Sequence, residues 1–202
     1  MVAKPVTHLG NMSVARKLFR LFKSINEYQK LIKFLDSCSD GMAKLVLGIL
    51  TRLGLFFFWL FDNLQVLTKI NFIKGNDATY KKYGMLGWFV SLVATIVSSI
   101  LDLMRLYEQV ADDTASIERL KAKGEEGKER LQMRWKARAI TKAQIFAAYL
   151  TIIKCLGDLI TASAGSGIAK KLFKRTPNEG MMGIGGSVSA VISLYNVWPK
   201  KK

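Results

Sequence analysis

The pattern of hydrophobic and polar positions over residues 13–35 predicts an amphipathic helix. Apolar side chains recur there in steps of three and four residues, which places them on one stripe of an α-helix. The stripe consists of Val14, Leu18, Leu21, Ile25, Tyr28, Ile32 and Leu35, and Phe22 widens it. Ser13 can cap the helix, because its hydroxyl can accept a hydrogen bond from a first-turn amide.

This helix also carries many cations, and Glu27 is the single acid among them. The cations are Arg16, Lys17, Arg20, Lys23, Lys30 and Lys33. Two interpretations fit this pattern. The stripe inserts into the headgroup boundary of an anionic bilayer while the Lys and Arg heads stay with the phosphates, or it packs on the protein's own core beneath a solvated polar face.

Three further stretches are rich in apolar residues. Residues 42–73 indicate one or two helices with an aromatic centre, and Arg52 within the run favours a buried or interfacial position over a membrane span. Residues 84–101 and 180–198 hold no charged residue and are long enough to cross the hydrocarbon layer, so each is a predicted transmembrane helix. In the second of these, small surfaces suited to close helix packing are offered by Gly183, Gly186, Ser187 and Ala190.

The two remaining regions contain charges. Residues 102–142 hold ten basic and eight acidic residues at short spacing, which predicts a solvated helical region. Residues 143–169 predict a semi-apolar helix in which Lys154 and Asp158 share one face, four residues apart. We expect them to form an ion pair at a helix–helix contact, and the alternative is that they belong to a polar pathway.

Composition narrows the class of protein. Half of the 202 residues are apolar while the net charge is +16, which favours an anionic phospholipid membrane over nucleic acid as the partner. We therefore expect an all-α integral membrane protein, built as a single helical domain with about two spans. The excess of Lys and Arg near both ends predicts cytosolic termini with residues 102–142 on the opposite side.

Features of enzymes do not stand out in the sequence. His8 is the single histidine, and the two cysteines, Cys38 and Cys155, lie far apart. A metal-ligand spacing, a Ser-His-acid or Cys-His set and a phosphate-binding glycine loop before Lys-Ser/Thr are not found. We therefore expect neither enzymatic activity nor a cofactor or metal.

Four segments, taken in order, are similar to the peroxin-11 family of peroxisomal membrane proteins. They are VARKLFRLFKSI, FFFWLFDNLQVLTK, GWFVSLVATIVSSILDLMRLY and GIGGSVSAVISLYNVW. The resemblance implies a protein of the peroxisomal or glycosomal membrane with cytosolic termini. It also implies self-association, contact with organelle-division factors, and a role in elongation, proliferation and fission of the organelle. An oligomeric channel for small metabolites and a scaffold that recruits division factors are the alternatives.

Overall fold

The computed structural model describes residue 17 and residues 19–37, 41–122 and 128–199. Every element of secondary structure within these ranges is helical, which confirms the predicted all-α class. The helices are α1 (Lys23–Ser37), α2 (Met42–Lys69), α3 (Asp77–Ala122), α4 (Lys128–Ser166), α5 (Ile168–Phe173) and α6 (Glu179–Val197).

The helix boundaries follow from residues with turn and capping chemistry. Gly41 precedes α2 with φ 86°, a left-handed conformation that glycine adopts without steric cost. The side chain of Asn76 accepts hydrogen bonds from the first amides of α3, and Asn178 accepts one from Met181 N at 2.8 Å to cap α6. Gly167, at φ 79°, separates α4 from α5.

Several predicted boundaries are wrong, although the elements exist. Residues 42–73 form one helix that ends at Lys69, and no break separates residues 84–101 from the charged region, because both belong to α3. Charged residues at i, i+4 spacing are good helix formers, so α3 and α4 continue past their apolar segments. The segment 143–169 is likewise the second part of α4, which ends at Ser166. The prediction of a helix over 180–198 agrees with α6.

Neighbouring helices pack in chain order. Among the described residues, α1 packs on α2, α2 on α3, α3 on α4, and α4 on both α5 and α6, and no other pair of helices is in contact. The buried core is correspondingly thin. One cluster is formed by Leu92 of α3 with Cys155 and Ala162 of α4, and a few further apolar residues are buried elsewhere, among them Val66 of α2.

Most large apolar side chains therefore lie on the outer surface. Four helices are long and apolar enough to cross a membrane by length and composition, namely α2, α3, α4 and α6, where the sequence predicted two spans. The sequence analysis did not count α2 as a span because Arg52 interrupts its apolar run, and it did not count α4 because of Lys154 and Asp158. In the most apolar window of α2 only 6% of the residues are buried inside the protein.

Glycines set the closest helix contacts. A Cβ built on Gly54 of α2 would lie 2.6 Å from the carbonyl oxygen of Gly87 in α3, and one built on Gly157 of α4 would lie 2.5 Å from the carbonyl oxygen of Gly185 in α6. Within the chain the packing face of α6 is therefore formed by Gly185, Ser189 and Ile192, which are buried.

The predicted packing residues of α6 lie on its other faces. Gly183, Gly186, Ser187 and Ala190 are exposed, and a Cβ on either glycine would meet nothing within 4 Å among the described residues. These four residues do not pack within the described part of the chain, so their role in close helix packing stays a prediction that would need a second helix from outside it.

Candidate membrane-binding site

The amphipathic segment is not one continuous helix. Residues 19–22 form turns, and regular α-helix begins at Lys23. Phe22 has φ 66°, a left-handed conformation that is unusual for a bulky residue. This conformation interrupts the helix. The predicted stripe therefore divides at this residue. Val14, Arg16 and Leu18 lie outside the described residues.

A largely polar face holds α1 against α2. Ser24, Glu27 and Leu31 are the buried residues of α1. The carboxylate of Glu27 accepts hydrogen bonds from Arg52 Nη1 at 3.3 Å and from Lys30 Nζ at 2.6 Å. Each of these contacts neutralises a charge that would be costly to bury alone in an apolar environment.

The polar contacts continue toward the carboxyl end of α2. Asn63 donates to Ser24 Oγ at 3.3 Å. Lys17 Nζ lies 2.6 Å from Asp62 Oδ1 and also donates to Gln65. These polar residues of α2 thus face α1 and the segment before it instead of the surroundings.

Two aromatic contacts complete the docking surface. The guanidinium of Arg20 and the ammonium of Lys23 lie 5.6 Å and 4.7 Å from the ring centroid of Trp59, within the range of cation–π attraction. At the other end of α1 the ring of Phe34 lies against the backbone of Gly48. The docking face of α1 therefore uses mainly charge and hydrogen bonds, with Leu31 and Phe34 as its apolar part.

The apolar stripe of α1 points outward. Ile25, Tyr28, Ile32 and Leu35 are 51%, 53%, 42% and 45% exposed, and Phe22 is 67% exposed. Leu21 is partly buried, and Tyr28 has its ring near that of Phe56, with centroids 6.4 Å apart. For the described residues, the interpretation that the stripe packs on the protein's own core is wrong, because the polar side of the helix occupies that position.

Four cations of the amphipathic segment contact protein groups in the docked arrangement, namely Lys17, Arg20, Lys23 and Lys30. The hypothesis that the cations of this segment face lipid phosphates stays a prediction. Lys33 is exposed. In this docked arrangement both the apolar stripe and the cations Lys23, Lys30 and Lys33 are exposed.

Lys154 and Asp158 do not form the expected ion pair. Both are half-buried on α4, and no salt bridge within 4 Å joins them in the described part of the chain. The order of the two residues offers a physical reason, since an acid preceding a base by four residues is the more favourable arrangement on a helix.

Sequence reasoning missed the partners that α2 provides. Gly48, Arg52, Trp59 and Asn63 follow one another at spacings of four, seven and four, which puts them on one face of α2. That spacing was a usable signal for a polar docking stripe on an otherwise apolar helix.

A second unforeseen contact joins the charged extensions of α3 and α4. Arg134 Nη1 lies 2.9 Å from Asp113 Oδ1, and the Asp113 side chain is 11% exposed. Ile117, four residues after Asp113 in the sequence, is buried as well, with 2% of its surface exposed. Where it is described, the charged region 102–142 therefore consists of two helical segments that pack on each other while most of their charged residues stay exposed.

Together these features define a helical membrane protein with outward-facing apolar helices and a docked amphipathic helix at its amino-terminal side. A family model for Peroxisomal biogenesis factor 11 (PEX11) matches residues 3–198, and the chain belongs to this family. The resemblance inferred from four sequence segments is thereby confirmed, and with it a peroxisomal membrane location and a role connected with the peroxisome.

A relative of this chain illustrates how far the sequences have diverged. Peroxisomal membrane protein 11 homolog of Dictyostelium discoideum is 25% identical over 191 residues, which cover 92% of this chain and 74% of the relative. No solved structure matches the chain.

Proposed function

We propose that this protein remodels the peroxisomal membrane and promotes elongation and fission of the organelle by inserting the apolar stripe of α1 into one leaflet. The observation that carries the proposal is the orientation of α1, whose apolar residues are exposed while its polar residues face α2. A helix that presents an apolar stripe outward can enter the headgroup boundary of a bilayer without first unfolding a core.

The contacts that α1 makes with α2 are replaceable by lipid. Anionic headgroups attract Lys and Arg with about 1 kcal/mol each, so the phosphates can take over from Asp62 and Trp59 as partners. Transfer of four half-exposed apolar side chains from water adds about 1 kcal/mol each, roughly half the value for full burial. Release of α1 from α2 and insertion beside it in the cytosolic leaflet add area to that leaflet, which favours curvature.

Insertion of the apolar stripe as a wedge into one leaflet is tested by placing charge either on the stripe or on the exposed polar face of α1. Ile25→Glu/Ile32→Glu adds two carboxylates to the exposed apolar face, and Asn26→Glu/Gln29→Glu adds the same charge to the exposed polar face. We expect the stripe variant to lose tubulation of anionic vesicles by the full chain and elongation of peroxisomes in cells, and the polar-face variant to keep both. Equal activity of the two variants would refute insertion of the stripe.

Charge distribution supports an orientation in which both termini are cytosolic. With four spans and with α1 released from α2, the amino-terminal segment, the α3–α4 extensions and the carboxyl end share one side and hold 20 of the 31 Lys and Arg, while the opposite loops hold eight. The positive-inside rule assigns the first side to the cytosol. The even number of spans keeps both termini together, but it moves residues 102–142 to the cytosolic side, opposite to the two-span prediction.

The orientation is tested by labelling sealed organelles with a membrane-impermeant maleimide. In a chain without its two native cysteines, Glu129→Cys is expected to react from outside, and Lys74→Cys only after the membrane is permeabilised. The reverse pattern would invert the orientation, and labelling of both positions in intact organelles would contradict the crossing of α3.

Self-association would concentrate such wedges. The exposed small residues Gly183, Gly186, Ser187 and Ala190 provide a surface on which a helix of a second copy can approach closely. Recruitment of organelle-division factors stays a prediction. An oligomeric metabolite channel also stays a prediction, and its passage would have to form between copies of the chain.

A further inference from the structure

We propose that the cleft between α2, α3 and the segment before α1 binds a phosphate-bearing anionic ligand, either a lipid headgroup or a soluble phosphate ester. The cleft has a volume of about 390 Å³. This value falls within the range of about 300–1,000 Å³ that is typical of small-molecule sites. The site belongs to the docked arrangement of α1 and not to the released helix that inserts into the leaflet, because Lys17 and Arg20 line the cleft while they contact Asp62 and Trp59.

The lining of the cleft is rich in positive charge. Four cations line it, two from the segment before α1 (Lys17 and Arg20) and one each from α2 and α3 (Lys69 and Lys81), against the single carboxylate of Asp62. Asp77 lies 3.7 Å from Lys69 at the edge, so two positive charges remain in excess when it is included. Like charges around one cavity repel each other, and a bound dianion removes that repulsion.

Stacked aromatic side chains give the cleft a fixed wall. The rings of Phe58 and Trp88 stack across α2 and α3 with centroids 5.3 Å apart, and the rings of Phe61 and Tyr80 stack at 6.4 Å. Gly84 is buried between the two helices, and a Cβ built on it would lie 3.4 Å from the Cβ of Phe61. The cationic groups are therefore mounted on packed elements, which reduces the entropic cost of binding.

The position of the cleft suits a headgroup. Lys69 ends α2 and Lys81 lies in the first turns of α3, so the cations stand where these two candidate spans leave the apolar layer. Basic pockets between membrane helices at this level are known to hold acidic phospholipid headgroups. The adjacent aromatic wall extends toward the middle of the helices, alongside the path of an acyl chain.

The test compares binding by the full chain purified in a neutral detergent. The probes are dioctanoyl phosphatidic acid, glycerol 3-phosphate with the same phosphomonoester, and dioctanoyl phosphatidylcholine as the zwitterionic control. The cleft variant is Lys69→Gln/Lys81→Gln. Its matched control, Lys170→Gln/Lys171→Gln, removes the same charge from exposed positions of α5.

We expect saturable binding of phosphatidic acid to the native chain and to the control variant, weakened by high salt, and at least tenfold weaker binding to the cleft variant. Comparable binding of glycerol 3-phosphate would identify a soluble ester as a ligand, and its failure to bind would identify the lipid. The proposal is overturned if both variants bind phosphatidic acid equally, if phosphatidylcholine binds as tightly, or if neither anionic probe saturates.

Loss of folding cannot imitate the expected result. Lys69 and Lys81 are both exposed, and an exposed ion pair such as Lys69–Asp77 adds little stability. Helicity by circular dichroism and the gel-filtration profile should match the native chain. Lys81→Gln alone should weaken binding by a smaller factor, and no change in this single variant together with none in the double variant would again refute the site.

Discussion

The contact between Gly157 of α4 and Gly185 of α6 makes a sharp prediction about stability. A Cβ on either residue would lie 2.5 Å from the carbonyl oxygen of the other, closer than the 3.0 Å that real Cβ atoms respect. Because the obstacle is backbone, the helices must separate by at least 0.5 Å. Gaps of about 0.5–1 Å forfeit a quarter to a half of the dispersion energy of each contact, and such overpacking costs about 1–3 kcal/mol.

Gly185→Ala and Gly183→Ala form the matched pair for this measurement. Both add one methyl group to α6 and gain about 1 kcal/mol of helix propensity, which cancels in the comparison. Gly183 faces open space among the described residues, so the difference between the variants isolates the clash. At about 2–4 °C per kcal/mol, the melting temperature of Gly185→Ala should lie roughly 2–12 °C below that of Gly183→Ala.

The assay is thermal unfolding of the full chain in a mild detergent, followed by circular dichroism. Gly157→Ala should reproduce the loss seen with Gly185→Ala. The double variant should lose less than the sum of the two, because one separation makes room for both methyl groups. Equal melting temperatures for Gly183→Ala and Gly185→Ala would mean that α4 and α6 do not meet at these glycines.

Three further predictions concern polar contacts. Glu27→Gln should destabilise the docking of α1 by about 1–3 kcal/mol, since Arg52 loses its carboxylate partner, and hydrogen exchange should quicken in α1 while α3 stays unchanged. Arg134→Met should lower stability by about 1–2 kcal/mol because the side chain of Asp113 stays buried without its partner, and adding Asp113→Asn should recover part of it in a double-mutant cycle. Asn178→Ala should cost about 1 kcal/mol of unfolding free energy by removing the cap of α6, with the change confined to protection of its first turn.

The helices with uninterrupted patterns were predicted well. The uncharged stretch 180–198 predicted both ends of α6 to within one residue. The stripe from Ile25 to Leu35 predicted the helical periodicity of α1. Charged residues kept α2 and α4 out of the predicted spans, although both are long and apolar enough to be candidates. Arg52 counted against a membrane span because a local sequence pattern does not reveal its partner Glu27, which lies 25 residues away along the chain.

The candidate site was predicted in composition but not in geometry. The same stripe and the same cations fit a helix that hides its apolar side and one that exposes it. Which side faces α2 depends on the complementary polar stripe of that helix. On α6, small residues surround the axis, so spacing could not distinguish the face with Gly185 from the face with Gly183.

The sequence by itself determined the all-α class, the apolar helices suited to a membrane, the basic amphipathic segment and the family, because periodicity, composition and motif order are properties of local residues. Only the tertiary structure decided that α1 breaks at Phe22, that it docks through Ser24 and Glu27, and that its apolar stripe stays outward. These outcomes depend on long-range pairing of charges and on the close approach of backbones at glycines, which no local pattern specifies.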